Sequence, residues 1–245
     1  MQIRKLLSRQ IATMCLGMAL PATSWCGTFT VNPVRIQVSS SRPNTILQIT
    51  NREDQSVTLQ AHVVMWRFDG QKEVYSDSDD VMLNPPIATV GPHQTQFIRL
   101  GLRHPLEGAE EHTYRLIVEE VPPPPKPDFR GVQTILRISI PIFVVPKVAA
   151  APAPQVSWQA VRTNDSRVRL IAANRGSAHV QVKSLEVSSA DSPDYYLKGT
   201  PPTYLLPTQQ REWLIDDKRT LTAKRIKILA VTDAGVIHEI VEIVQ

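Results

Sequence analysis

The sequence predicts an all-β protein built as two β-sandwich domains in series. Three observations carry this. Apolar and polar residues alternate over short runs that recur between turn signals at the spacing of a sandwich. No stretch of the sequence sustains the apolar period of an amphipathic helix. Near the middle, residues 147–155, KVAAAPAPQ, have the small-residue and alternating-proline composition of a linker, and 245 residues are enough for two modest cores.

Residues 1–26 stand outside this pattern. Arg4, Lys5 and Arg9 precede an acid-free apolar run, Ile11 to Leu20, followed by small residues around Ala22 and Ser24, the order of a secretory signal peptide. The run is too short to span a bilayer. A lipoprotein site needs a small residue before its cysteine, whereas Trp25 precedes Cys26 and Met14 precedes Cys15. Cleavage is expected between Ser24 and Gly27, which places the mature protein outside the cytoplasm. Three of the 27 Lys+Arg and none of the 23 Asp+Glu fall in this segment, so without it the formal net charge drops from +4 to +1. The apparent basicity belongs to the export signal and gives no support to nucleic-acid binding, which needs a concentrated basic stripe.

The first domain, expected over 27–146, opens with TFTVNPVRIQV. Phe29 and Val31 set one parity while Val34, Ile36 and Val38 set the other, and a phase change at Asn32-Pro33 fits a bulge or a strand that switches sheets. Strand-like runs follow at 45–50, 57–67, 87–90, 96–100 and 113–121. Turn signals separate them at 51–54, Asp69-Gly70, the acidic 77–80, Gly91-Pro92 and Glu107-Gly108. Pro122 to Pro127, PPPPKP, is stiff and extended and rules out a two-residue hairpin there.

The stretch 132–146, VQTILRISIPIFVVP, is a long strand. Val132, Thr134, Leu136, Ile138, Ile140, Ile142 and Val144 share one parity and form an apolar row roughly 40 Å long at about 3.3 Å per residue. Pro141 has no N–H to give to a ladder, so part of the strand is expected along a sheet edge. An apolar edge strand invites a partner.

The second domain, expected over 156–245, repeats the pattern: 168–172, a turn at Asn174-Arg175-Gly176, then 178–187, a DSPD turn at 191–194, 204–206, 212–215, 226–231 and 236–244, with Asp233-Ala234-Gly235 turning the last hairpin.

Catalytic and metal chemistry find no foothold. Both cysteines, Cys15 and Cys26, lie in or beside the segment to be removed, so no internal disulfide is expected. The six histidines, His62, His93, His104, His112, His179 and His238, show no metal-ligand spacing. The acidic run at 77–80 lacks the glycine and distal glutamate of a calcium loop, and there is no G-x-S-x-G or phosphate loop. No enzyme, cofactor, metal or small-molecule substrate is expected.

Several pieces resemble a known family in order and spacing: the early strand with Arg35, LQITNRE at 47–53, LNPPIATVGPHQTQFIRLGLR from Leu83, YRLIVEEVPPP from Tyr114, ISIPIFVVP from Ile138, and AANRGSAHVQV and YLLPTQQ in the second half. Together they are similar to the periplasmic pilus-assembly chaperones of the PapD-like family, in wording closest to its archaic branch. The resemblance implies two immunoglobulin-like domains at an angle and a periplasmic location. It implies pilin subunits and an outer-membrane usher as partners, with strand donation as the mechanism. It also implies self-association of the free molecule through its apolar edge. The donated side chains would be Val132, Thr134, Leu136, Ile138 and Ile140, and Arg35 would hold the subunit's C-terminal carboxylate, a task suited to a guanidinium.

The sequence departs from the family twice. The lysine that usually completes the carboxylate anchor falls on Pro141, which leaves Arg115 or Arg137 as the substitute cation. The interdomain salt bridge has its acids at Glu111 and Asp233, but its arginine falls on Val145. A different kind of function on the same sandwich is a secreted two-domain adhesion module that binds through its loops.

Overall fold

The computed structural model describes residues 29–122, 134–147, 152–165, 167–191 and 194–245. The expected export signal, most of the PPPPKP segment and Val132 lie outside the described residues. Among those residues every regular element is a strand except one short 3-10 turn, Lys218–Leu221.

The first core is closed by two sheets. One has the order β1-β3-β8-β6, from β1 (Phe29–Asn32), β3 (Asn44–Asn51), β6 (Val81–Asn84) and β8 (Thr95–Leu102). The other has the order β2-β10-β9-β4-β5, from β2 (Ile36–Ser39), β4 (Val57–Asp69), β5 (Lys72–Asp77), β9 (His112–Glu120) and β10 (Arg137–Val145), with β7 (Ile87–Val90) also on β4. Alternate residues turn inward from both: Leu47, Ile49, Ile98 and Leu100 meet Leu59, Ala61, Leu116, Val118, Ile140 and Ile142. This is the side-chain period of two that the sequence displayed. The phase change at Asn32-Pro33 is a change of sheet, since β1 pairs with β3 and β2 pairs with β10.

The second core is built from β11 (Val156–Arg162), β12 (Val168–Asn174), β13 (Val180–Ser189), β14 (Tyr195–Lys198), β15 (Thr203–Leu205), β16 (Gln210–Ile215), β17 (Arg225–Thr232) and β18 (Val236–Val244). The strands run β14-β13-β17-β18-β11-β12-β16, with β15 also on β13. A short parallel contact, Ala160 to Ile243 and Val161 to Val244, joins the β11-β12-β16 side to the rest.

Two buried asparagines punctuate the cores alike. Asn51 Nδ2 donates to the carbonyls of Gln55, Val90 and Gly91, and its Oδ1 accepts from the Glu53 N–H. Asn174 Nδ2 donates to Ala178, Leu205 and Leu206, and its Oδ1 accepts from the N–H groups of Gln155 and Gly176. Each ties the turn after a core strand to a distant strand end. Gly176 is required at its turn, because a Cβ there would lie 2.3 Å from the Ala153 carbonyl oxygen.

Two expectations need correction. The long strand begins at Arg137 rather than Val132 within the described residues, although the Glu120 N–H still reaches the Leu136 carbonyl at 3.0 Å. Strands β5, β6, β11 and β14 were not expected. Every residue of β5 is exposed, so it carries no inward apolar row to reveal it.

Candidate functional site

The site is a cleft between the two cores, floored by an aromatic cluster drawn from both. Trp66 of β4 and Phe143 of β10 are buried against Leu206, with Phe68 and Tyr204 packed around them. The Tyr204 ring meets Trp66 edge-on at 5.5 Å between centroids and lies 5.5 Å from Phe143.

Cross-strand register sets two arginines on this floor. On the outer face of the β2-β10-β9-β4-β5 sheet, Pro141 lies opposite Arg115, which lies opposite Val64. The parallel β2–β10 register begins at Ile36 opposite Ile142, so Arg35, one step earlier, comes beside Pro141. The position where the family carries its lysine is thus flanked by one arginine on each side. Neighbouring strands lie about 4.8 Å apart, which puts the two arginine backbones about 10 Å from each other. Both guanidiniums turn toward Tyr204, Arg35 at 5.4 Å from its ring centre and Arg115 at 6.0 Å.

Each guanidinium has an internal acid. Arg35 Nη1 donates to Asp233 Oδ2 at 2.8 Å, and its Nη2 donates to Gln181 Oε1 at 2.5 Å and to the Tyr204 hydroxyl at 3.1 Å. Burial works against the Arg35 charge, but the hydrogen bonds to Asp233 and Tyr204 outweigh it and hold its pKa above the ordinary arginine value. Arg115 lies over Trp66, 3.7 Å from the ring centre, and its Nη2 donates to Glu73 Oε1 at 3.2 Å. Its Nε is buried with no acceptor among the described residues. Glu73 also accepts from the Tyr75 hydroxyl, which burial and this bond push up to about 12.

Arg137 is not part of this group. It sits four residues along β10 from Pro141, is more than half exposed, and pairs with Glu119 at 3.0 Å. About 13 Å of strand separates it from the cleft.

From the cleft, β10 leads outward along an open edge. Among the described residues β2 pairs with Ile142 to Val145, and no strand lies on that side of Arg137 to Pro141. The Glu120-to-Leu136 bond fixes which residues face β9: in an antiparallel ladder Leu136, Ile138 and Ile140 point their backbone groups to it. Arg137, Ser139 and Pro141 therefore point theirs outward, and the missing N–H of Pro141 falls on the open side, where no ladder needs it. The apolar row emerges gradually from the core. Ile142 and Ile140 are buried, Ile138 and Leu136 are half-buried, and Thr134 is exposed. Ile140, expected among the donated side chains, is only 2% exposed and belongs to the core, because the opposing sheet still covers it.

A family model, the pili and flagellar-assembly chaperone PapD N-terminal domain, matches residues 28–150. The chain belongs to the PapD-like chaperones. Among solved structures it is similar to a chain of the CsuC–CsuE chaperone–tip adhesion subunit pre-assembly complex from archaic chaperone-usher Csu pili of Acinetobacter baumannii. That match has a TM-score of 0.66 at 25% identity and covers 89% of this chain and 99% of that one. The Salmonella enterica SafA pilin–SafB chaperone complex matches with a TM-score of 0.62 at 14% identity over 88% and 97% of the two chains. The E. coli chaperone DraB matches with a TM-score of 0.58 at 16% identity over 87% and 98%. The last two support the fold alone. A comparison with curated protein sequences finds no match. The molecule is thus a chaperone-usher pilus-assembly chaperone and not an enzyme, which sets aside the adhesion-module reading.

In this chaperone the expected interdomain acids are in place with new partners. Glu111, 2% exposed at its side chain, accepts from His179 twice, from the backbone N–H at 2.9 Å and through Nδ1 at 2.6 Å. His179 stacks flat on Phe143, 3.4 Å between ring centres. Asp233 meets Arg35. Val145, where the family has an arginine, is bypassed by splitting the acids between a histidine and the cleft arginine. Sequence reasoning missed His179, Trp66, Phe143 and Tyr204. Their one local signal is a large ring in or beside a strand, which does not distinguish a domain interface from a core.

Proposed function

We propose that this chaperone acts in the periplasm, where it folds and caps pilin subunits by donating the start of β10 to their unfinished sandwich and delivers them to an outer-membrane usher. The observation that carries this is the open edge of β10. The backbone groups of Arg137 and Ser139 face outward with no strand beside them among the described residues, and an apolar row runs out from the core along the same segment. Such an edge suits strand addition, in which main-chain bonds set register and alternate side chains fill pockets. Each inserted aliphatic side chain contributes about 1.5–3 kcal/mol gross and each main-chain bond a net of about 0.5–1.5 kcal/mol, so burial dominates affinity. The donated row is Thr134, Leu136 and Ile138, continued by Val132, which lies outside the described residues.

The subunit's C-terminal carboxylate binds between Arg35 and Arg115. Arg115 takes the role of the missing lysine, supported by its place across Pro141 and by its guanidinium turning toward Tyr204 beside Arg35. The interdomain contacts of Glu111 and Asp233 hold the cleft walls in register. Residues 1–26 direct export, and the linker at 147–155 separates the domains. In the free state the open edge is covered by a second copy. Co-expression with a pilin yields a one-to-one periplasmic complex, and Leu136→Asp abolishes it while leaving the chaperone folded. A pilin equally soluble and stable without this chain contradicts the reading.

A further inference from the structure

The cleft arginine is already occupied, and by the same chemical group it is read to receive. Nη2 of Arg35 is shared between Gln181 and Tyr204, and Nη1 holds Asp233. Both Nη2 hydrogens are engaged, so a carboxylate that leaves Gln181 and Tyr204 in place approaches Arg35 through Nη1, the nitrogen that Asp233 occupies. Asp233 is the one that an incoming carboxylate repels, because two anions within hydrogen-bond reach of one cation compete for it. It is also held independently of Arg35: its Oδ1 accepts from the Gln181 N–H at 2.8 Å, and its own N–H donates to the Gln181 carbonyl at 3.1 Å. Asp233 can therefore release the guanidinium without losing its place in the β17–β18 turn. With side-chain exposures of 35% for Arg35 and 20% for Asp233, the pair is reachable from solvent.

We propose that Asp233 is a positioning residue for the subunit carboxylate: it holds Arg35 extended across the cleft of the empty chaperone and is exchanged for the client's carboxylate when the cleft fills. This rests on Arg35 being the carboxylate contact. The exchange gives up an ion pair between the two domains, while Glu111 with His179, Phe68 N–H with Gln209 at 3.1 Å, and Arg211 with the Gln71 carbonyl at 3.0 Å keep the domains joined. Occupancy of the cleft is thereby coupled to one interdomain contact and not to all of them.

The test is an NMR titration of the intact chaperone, following the backbone amide resonances of β2 and β10 in every variant and the Arg35 Nε–H resonance wherever that arginine is present. The probes are a short extended peptide of alternating valine and serine ending in a free carboxylate and the same peptide ending in an amide. Asp233→Asn keeps the size and an acceptor for Gln181 but removes the competing charge. It raises affinity for the acid about two- to fivefold, the scale of a part-exposed ion pair, and leaves the amide unchanged. Asp233→Ser, which also keeps an acceptor, behaves alike, and Arg35→Ala removes the acid–amide difference in both backgrounds. An unchanged or weaker acid affinity in both Asp233 variants, or an equal gain for both peptides, overturns the proposal. If the unaltered protein does not distinguish acid from amide and Arg35→Ala changes neither, the reading of Arg35 itself fails.

Discussion

Asn51 and Asn174 show how much of the architecture hangs on single polar side chains. Each is almost fully buried and satisfies several backbone groups that would otherwise be left without partners. Asn174→Ala should destabilise the protein by about 2–4 kcal/mol, since each orphaned buried group costs about 1–3 kcal/mol, and urea unfolding measures it. The cleft arginines separate at the same scale. Arg115→Ala should weaken subunit binding markedly in a calorimetric titration, whereas Arg137→Ala, which loses only an exposed pair with Glu119, should change it less than twofold, roughly the effect of a surface ion pair. The asparagine turns were legible in the sequence, because each follows an apolar run at a recognisable break, whereas Arg35 was singled out by the family resemblance alone. The pairing of Arg115 across Pro141 was not legible, because register between two distant strands is set by tertiary packing and not by local residue pattern.

From Thr134 to Val144 one apolar row divides into an outer half that is exposed or half-buried and an inner half that is buried. Ile140→Ala should cost the chaperone about 2–5 kcal/mol of stability, the range for truncating a buried aliphatic side chain, while leaving the donor segment intact. Leu136→Ala, at a half-buried position, should lower the melting temperature little and weaken subunit capture strongly. Measuring both variants by thermal unfolding and pull-down separates core from donor. The alternation of this strand was plain from the sequence, but the point where it leaves the core was not. Parity is the same on both sides of that point, and only the reach of the β1-β3-β8-β6 sheet decides it. Strand β5 was hidden for a related reason, since KEVYSD lies on an edge with no inward face and only the Asp69-Gly70 turn announced a hairpin.

At the scale of the whole molecule, the cleft is held by contacts that no single segment encodes. Trp66, Phe143, His179 and Tyr204 come from four separate stretches and meet only once both sandwiches are formed. That is why the two cores could be read from alternation while their junction could not. His179→Ala would leave the Glu111 carboxylate buried with the backbone N–H of residue 179 in place of two donors. It should destabilise the protein by about 2–4 kcal/mol, and His179→Gln, which keeps a side-chain donor, should cost less; chemical denaturation compares them.

Amide hydrogen exchange at Arg137 and Ser139 tests the donated edge most directly. In the dilute free chaperone these two N–H groups should exchange rapidly, while those of Ile138 and Ile140, turned to β9, are slow; with a pilin bound, all four should be slow. Fast exchange at Arg137 and Ser139 that persists in the complex, or protection already present in the dilute monomer, would contradict strand donation.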